Sequence, residues 1–213
     1  MKDLFKGCWT IPNLLSFIRI LLIPVFAYLY YNDMKVEAVA VLAASGLSDM
    51  FDGKIARRFN QISALGKILD PIADKLTQIT IAVMLLLDFK DAENKMINAF
   101  GWVFLVFLIK EAVMLIGGLV MLLLNIRPGA AEIYGKLATT VFYVGMTLII
   151  AIGPEVGALN ELLGFQMPAL LTGIIVVISA IMTLVAFASY MPETFRQFKE
   201  RFGKEKKETA AKK

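Results

Sequence analysis

Long apolar runs separated by short polar segments account for most of the chain. About 20 consecutive apolar residues in a helix cross the hydrocarbon core of a bilayer. The pattern therefore predicts an all-α integral membrane protein with six transmembrane helices. The predicted spans are Ile11–Tyr31, Val36–Met50, Ile68–Leu87, Phe100–Leu124, Tyr134–Ile152 and Ala169–Tyr190.

Composition and the two ends of the chain fit this class. Hydrophobic residues make up 58% of the chain, whereas a soluble domain is typically about 45–50% apolar. Residues 11–192 are predicted to form one six-helix domain, preceded at 1–10 by a short interfacial segment with Phe5 and Trp9 as anchors. Residues 193–213 are predicted to form a basic cytoplasmic tail, which we expect to be disordered and in contact with water and anionic headgroups.

The basic residues are distributed unevenly between the two sides of the predicted bundle. Cytoplasmic segments of membrane proteins carry an excess of Lys and Arg. If the N-terminus is inside, the outer loops hold only Lys35, Lys90 and Lys95, and all other loop cations and the tail face the cytoplasm. The sequence therefore predicts an N-in/C-in, multi-pass protein of the cytoplasmic membrane. The net charge of +4 is small and does not favour nucleic acid as a partner.

Four aspartates interrupt this apolar pattern near the predicted cytoplasmic boundary. Asp49 and Asp52 lie near the end of the second span, and Asp70 and Asp74 lie near the start of the third. Their i, i+3 and i, i+4 spacings place each pair on one helix face. Adjacent antiparallel helices would bring the four carboxylates together. Because charged residues inside a membrane are costly, the cluster predicts a functional site that faces the cytoplasm.

The chemistry open to this cluster is limited by the residue types that the chain contains. There is no histidine and one cysteine, so an oxygen-ligated ion such as Mg²⁺ or Mn²⁺ is expected rather than Zn²⁺. Two divalent ions would relieve the repulsion between four carboxylates. Two-metal sites stabilise both the attacking and the leaving oxygen of a phosphoryl displacement.

Residues between the two aspartate pairs suit a phosphate ligand. Gly53 and Ala56 leave a helix face open, Gly66 allows close approach at the start of the next helix, and Arg57 can bind a phosphate with two parallel hydrogen bonds. The alternative is that the aspartates form structural ion pairs with neighbouring cations such as Lys75. Four carboxylates at this spacing with two glycines favour the functional interpretation.

The complete pattern resembles the signature of the CDP-alcohol phosphotransferases. It reads Asp49-x-x-Asp52-Gly53-x-x-Ala56-Arg57, eight residues, then Gly66-x-x-x-Asp70-x-x-x-Asp74. The resemblance implies displacement of CMP from CDP-diacylglycerol by an alcohol, in a homodimeric enzyme. It also implies metal ligation by all four aspartates, with Asp74 as general base. The nucleotide and pyrophosphate would lie against Asp49, Gly53, Ala56, Arg57 and Gly66.

Other segments resemble particular branches of that family. The stretch Thr10–Pro24 is similar to the first helix of bacterial phosphatidylglycerophosphate synthases and of related cardiolipin synthases. This places Asn13 near the nucleotide, with a helix cap as its alternative role, and Arg19 near the acceptor. Lys110 and Lys136 occupy similar acceptor-side positions, although the phosphatidylglycerophosphate synthases usually have Arg at the first of them.

These cations favour an anionic acceptor, glycerol 3-phosphate, which would give phosphatidylglycerophosphate. The Lys at position 110 leaves phosphatidylglycerol, the acceptor of a cardiolipin synthase, as an alternative, followed by an inositol-type alcohol. Lys110 could instead pair structurally with Glu111, and Lys136 could extend to the headgroups. A membrane transporter with an acidic site is the alternative from another functional class.

Overall fold

The chain is almost entirely helical. The computed structural model describes residues 10–58, 66–124 and 133–211, without the side chains of 50–58, 67–68, 122, 133 and 200–211, and these ranges contain no strand. The helices are α1 Ile11–Tyr31, α2 Lys35–Arg58, α3 Gly66–Lys90, α4 Lys95–Leu123, α5 Ile133–Ile152, the short α6 Asn160–Leu163 and α7 Ala169–Ala211. The all-α prediction is confirmed. The predicted interfacial segment lies almost wholly outside the described residues.

Most helices extend further than the apolar runs that predicted them. Helix α2 continues past Met50 to Arg58, and α7 continues past Tyr190 to Ala211. The expectation of a disordered basic tail is therefore wrong for the described part of the chain. The physical reason is that Lys, Arg, Glu, Gln and Ala are good helix formers. A helix that leaves the membrane can thus continue through such a sequence.

Four of the helices are long and apolar enough to cross a membrane. These segments are Ile11–Tyr31, Lys95–Met121, Tyr134–Ile152 and Ala169–Lys199. Helices α2 and α3, of 24 and 25 residues, carry the four aspartates of the acidic motif (residues 49–74) and are not among these segments in the described part of the chain. The described helices therefore indicate a multi-pass membrane protein in which two polar helices pack among apolar ones.

The helices pack in a ring. Helix α1 contacts α2 and α3, α2 contacts α5, α5 contacts α7, α7 contacts α4, and α4 contacts α3. Helix α5 also reaches α3 inside the ring. In the described residues, helix α1 packs along both α2 and α3. The side chains at the end of α2 lie outside the described part of the chain, so a direct contact of α2 with α3 at the acidic pairs stays a prediction.

An apolar core fills one half of this bundle. It includes Phe26 of α1, Leu42 of α2, Leu85 of α3, Phe104 of α4 and Ile149 of α5, all almost fully buried. On α2 these core residues precede the acidic motif, and on α3 they follow it. The apolar half therefore fixes the three helices that carry the polar half.

Helix α1 is fastened to α3 at the far end of the core. The Tyr30 hydroxyl donates a hydrogen bond of 2.6 Å to an oxygen of Asp88, and the ammonium group of Lys35 lies 3.7 Å from the same carboxylate. This contact fixes the register between α1 and α3. The polar residues near the other end of α1 are thereby held level with Asp70 and Asp74.

Candidate active site

Helix α1 presents a buried polar face to the acidic motif. Its N-cap is Thr10, whose side chain accepts a hydrogen bond of 3.4 Å from the backbone N–H of Asn13. The alternative that Asn13 is itself the cap is therefore wrong. Asn13, Ser16 and Arg19 follow at intervals of three residues, and all three are buried. This spacing puts them on one side of the helix, towards α2 and α3.

Arg19 joins the two halves of the acidic motif. Its Nη1 atom lies 2.7 Å from Oδ1 of Asp49 on α2 and 2.8 Å from Oδ1 of Asp74 on α3. The Arg19 side chain is 2% exposed, whereas the Asp49 and Asp74 side chains are 51% and 39% exposed. The carboxylates therefore lie between a buried cation and an opening through which a ligand can approach.

Ser16 contacts the third carboxylate. Its hydroxyl donates to Oδ1 of Asp70 and also lies 2.9 Å from the backbone oxygen of Pro12. Ser16 is not among the site residues predicted from the sequence. The signal that could have found it is the three-residue spacing of polar side chains along an otherwise apolar helix. Asp49, Asp70 and Asp74 are thus all held by side chains of α1.

The remaining motif residues are placed by the backbone. Asp52, Gly53, Ala56 and Arg57 lie in the last turns of α2, and their side chains are outside the described part of the chain. Gly66 is the buried first residue of α3. The structure thus brings Asp49, Asp70 and Asp74 around α1, and it does not test the contacts predicted for the others.

The donor set suits a hard divalent cation. Carboxylate oxygens are the ligands that Mg²⁺ and Mn²⁺ prefer. The Oδ1 atoms of Asp49 and Asp74 share one nitrogen, so their separation cannot exceed the two Arg19 distances added together. Among the described side chains, no group of three acidic residues is already arranged as a metal cage. Asp52 belongs to the undescribed set, so the four-carboxylate site stays a prediction.

A second buried charge cluster lies behind Asp74. Lys75 of α3 places its ammonium 2.7 Å from Oε2 of Glu111 on α4, and Lys110 contacts Oε1 of the same carboxylate. The Lys110 ammonium also lies 5.0 Å from the centre of the Phe107 ring. Glu111 is fully buried. These contacts of Lys110 match the structural alternative, a Lys110–Glu111 pair, and the cluster fixes α3 against α4 next to Asp74.

Glu111→Ala should destabilise the protein strongly. It leaves Lys75 and Lys110 without their shared carboxylate, and breaking a buried ion pair by removing one partner costs about 3–5 kcal/mol. We expect the unfolding midpoint in detergent to fall clearly. Glu193→Ala is the matched control, because its pair with Arg196 on α7 is exposed and should contribute little. Equal midpoints for the two variants would contradict the role of this cluster.

Lys136 lies in the first turn of helix α5 and is exposed. Further along the same helix, the Tyr143 hydroxyl donates a 2.5 Å hydrogen bond to the backbone oxygen of Leu42 on α2. Gly46 permits this packing, because a Cβ there would lie 2.7 Å from the Tyr143 ring. Helix α5 is therefore held on α2 one to two turns before Asp49, and Lys136 remains accessible.

Comparison with known proteins identifies the pattern. Residues 9–185 match the family model described as CDP-alcohol phosphatidyltransferase. The chain is 30% identical over 191 residues to the CDP-diacylglycerol–glycerol-3-phosphate 3-phosphatidyltransferase of Aquifex aeolicus, covering 89% of this chain and 99% of that protein.

Cardiolipin synthases match over shorter segments. The CMP-forming enzyme of Streptomyces coelicolor is 37% identical over 136 residues, which is 61% of this chain and 60% of that protein. The human CMP-forming enzyme is 51% identical over 75 residues, which is 35% of this chain and 25% of that protein. These similarities favour an enzyme over the transporter alternative.

Proposed function

Because the chain belongs to the CDP-alcohol phosphatidyltransferase family, we propose that it transfers a phosphatidyl group from CDP-diacylglycerol to glycerol 3-phosphate. The products are phosphatidylglycerophosphate and CMP. The observation that carries this choice of acceptor is the end-to-end similarity to the Aquifex aeolicus enzyme, which includes nearly all of that protein. The cations near the acidic site agree with an anionic acceptor.

Asp74 is the general base of the proposed reaction. Its half-exposed carboxylate faces the opening of the site and takes the proton of the acceptor hydroxyl. The acceptor oxygen then forms a bond to the phosphorus of the phosphatidyl group. The bond from that phosphorus to the CMP oxygen breaks, and its electron pair leaves with CMP. Arg19 fixes the orientation of Asp74 through the contact with Oδ1.

Asp49, Asp52, Asp70 and Asp74 would hold two ions of Mg²⁺ or Mn²⁺. When bound, these ions would neutralise the pyrophosphate and the charge that develops on the leaving oxygen. The contact from Ser16 fixes the orientation of Asp70 for this purpose, as an outer hydrogen bond commonly does for a metal ligand.

The nucleotide and pyrophosphate would bind along the end of α2 and the start of α3. Asn13 and Gly66 are both buried next to the acidic motif. Gly53, Ala56 and Arg57 follow Asp49 on α2, where small side chains admit the ligand and a guanidinium can bind its phosphates.

The acceptor would bind on the side of Lys136. In a six-span, N-in/C-in arrangement, α2 and α5 run antiparallel. Lys136 then lies two turns of α5 from the Tyr143–Leu42 contact, roughly 10 Å along the helix axis. Asp49 lies two turns of α2 from the same contact, in the same direction. Arg19 touches the base and so lies close to any acceptor bound there. Lys110 is the remaining cation proposed for the acceptor, although its ammonium pairs with Glu111.

The same proposal defines the setting of the enzyme. Helices α1 to α5 and α7 would span the cytoplasmic membrane, with the active site facing the cytoplasm. Membrane lipids would surround the apolar outer faces of these helices. A second copy of the chain would complete a homodimer.

A cardiolipin synthase of the same family is the second candidate, with phosphatidylglycerol as acceptor. The observation that favours it is the higher identity to the cardiolipin synthases over their shorter matched segments. Both candidates use the same first substrate and the same acidic site. They differ only in the alcohol that Asp74 must deprotonate.

Lys136→Ala should raise the KM for glycerol 3-phosphate by roughly ten- to hundredfold. A hydrogen bond to a charged group is worth about 1.5–3 kcal/mol, and each 1.4 kcal/mol is about tenfold. The KM for CDP-diacylglycerol should change far less. Lys95→Ala is the matched control, since Lys95 is also exposed but opens α4 on the predicted outer side. A similar change in both KM values would contradict the acceptor role of Lys136.

A further inference from the structure

Arg19 is the buried cation at the centre of the acidic site. One of its nitrogens contacts carboxylate oxygens from two different helices, at 2.7 Å and 2.8 Å. Helix α1, which carries it, packs along both α2 and α3. The contact therefore connects α2 to α3 at the level of Asp49 and Asp74.

Electrostatics explain why a cation is needed at this point. Two carboxylates this close repel each other, and the repulsion grows in a medium of low dielectric constant. A guanidinium between them replaces repulsion with attraction. A buried arginine in turn needs anionic partners, because an unpaired charge away from water is costly. The two aspartates and Arg19 therefore stabilise one another.

Arg19 is buried behind Asp49 and Asp74, whose side chains are partly exposed at the opening of the site. Arg19 is 2% exposed, while half of the Asp49 side chain and over a third of the Asp74 side chain are exposed. A cation from solvent thus meets the carboxylates from the side opposite to Arg19. It would act on the same two negative charges that the guanidinium, with its single positive charge, offsets only in part.

We infer that Arg19 is an internal counter-cation, which holds Asp49 and Asp74 together in the metal-free protein and competes with the divalent cation for their charge. The inference rests on the divalent-ion site of the proposed function. It assigns Arg19 a positioning role in addition to proximity to the acceptor. Without Arg19, the metal-free bundle should be weaker, and its stability should depend more on divalent cations.

The test is thermal unfolding of the full chain in detergent, after EDTA treatment and again with Mn²⁺. Arg19→Met should lower the metal-free midpoint by about 5 °C, less than for a fully buried ion pair in a chain of this size, because the two carboxylates that it leaves behind are partly exposed. Mn²⁺ should raise the midpoint of Arg19→Met more than that of the wild type. Mn²⁺ should also bind the variant about tenfold more tightly in an electron paramagnetic resonance titration.

Two further variants separate charge from packing. Arg19→Lys keeps the charge but loses the planar fork, so its metal-free midpoint should lie between those of wild type and Arg19→Met. Adding Asp49→Asn to Arg19→Met removes the repulsion and should restore part of the lost stability. If Arg19→Met does not accumulate, Arg19→Lys and the double variant supply the comparison.

The possible outcomes distinguish this inference from the proposed function. An unchanged metal-free midpoint in Arg19→Met, or no recovery in the double variant, overturns the counter-cation role. The proposed enzyme function does not depend on that role and would still stand. A fall that Asp49→Asn reverses, without any Mn²⁺ response in the wild type or variants, supports the internal ion pair. It overturns both the competition with metal and the divalent-ion site of the proposed function.

Discussion

Asp74→Asn is expected to abolish phosphatidyl transfer, with kcat falling by at least about a hundredfold, the lower bound for a lost general base. The amide cannot accept the proton of the acceptor hydroxyl. It still offers an oxygen to Arg19, whose Nη1 lies 2.8 Å from the wild-type carboxylate. CDP-diacylglycerol binding should therefore change little. Asp49→Asn should instead weaken both binding and turnover, because Asp49 is proposed to hold the metal and to lie against the nucleotide.

The measurement is CMP release at saturating acceptor, together with binding of CDP-diacylglycerol to the purified variant. Asp91→Asn is the control, since Asp91 is exposed between α3 and α4, away from the site. Asp91→Asn should retain normal turnover. Near-normal turnover in Asp74→Asn would show that another group takes the acceptor proton.

Removal of divalent cations is expected to eliminate turnover. The proposed metal ligands are all carboxylates, and the negatively charged pyrophosphate cannot approach them without cations of higher charge. Arg19 alone supplies one positive charge to Asp49 and Asp74. EDTA should therefore reduce CMP release to background.

Adding back excess Mg²⁺ or Mn²⁺ should restore the activity of the EDTA-treated enzyme. The matched control is the same treatment with EDTA already saturated with Mg²⁺, which should leave turnover unchanged. Full CMP release in metal-free buffer would contradict the metal-assisted mechanism. It would require the protein's own cations to stabilise the leaving group.

The sequence pattern was sufficient for the helices whose apolar residues form long, uninterrupted runs. Helix α1 has the predicted bounds, Ile11–Tyr31, and α5 begins one residue earlier than predicted. Hydrophobicity alone could not locate the ends of α2 or α7, because the residues that continue them are polar but favour helix. The number of spans remains a prediction for the same reason.

The sequence was sufficient to predict which carboxylates form the candidate site, but not which side chains they contact. The spacing of Asp49, Asp70 and Asp74 indicated one cluster, and the family resemblance placed Arg19 near the acceptor. Which anions it would meet depends on the packing of α1 between α2 and α3, which follows from the arrangement of the whole ring. Likewise, the pairing of Lys75 with Glu111 is a tertiary contact that no local spacing reveals.

One acceptor assay tests the proposed activity most directly. The purified chain is incubated with CDP-diacylglycerol and Mg²⁺ or Mn²⁺, and with glycerol 3-phosphate, phosphatidylglycerol or inositol in separate reactions, and both CMP and the lipid product are measured. We expect CMP release and phosphatidylglycerophosphate with glycerol 3-phosphate, at a rate well above those with the other alcohols. Formation of cardiolipin from phosphatidylglycerol, with no product from glycerol 3-phosphate, would contradict the proposed function.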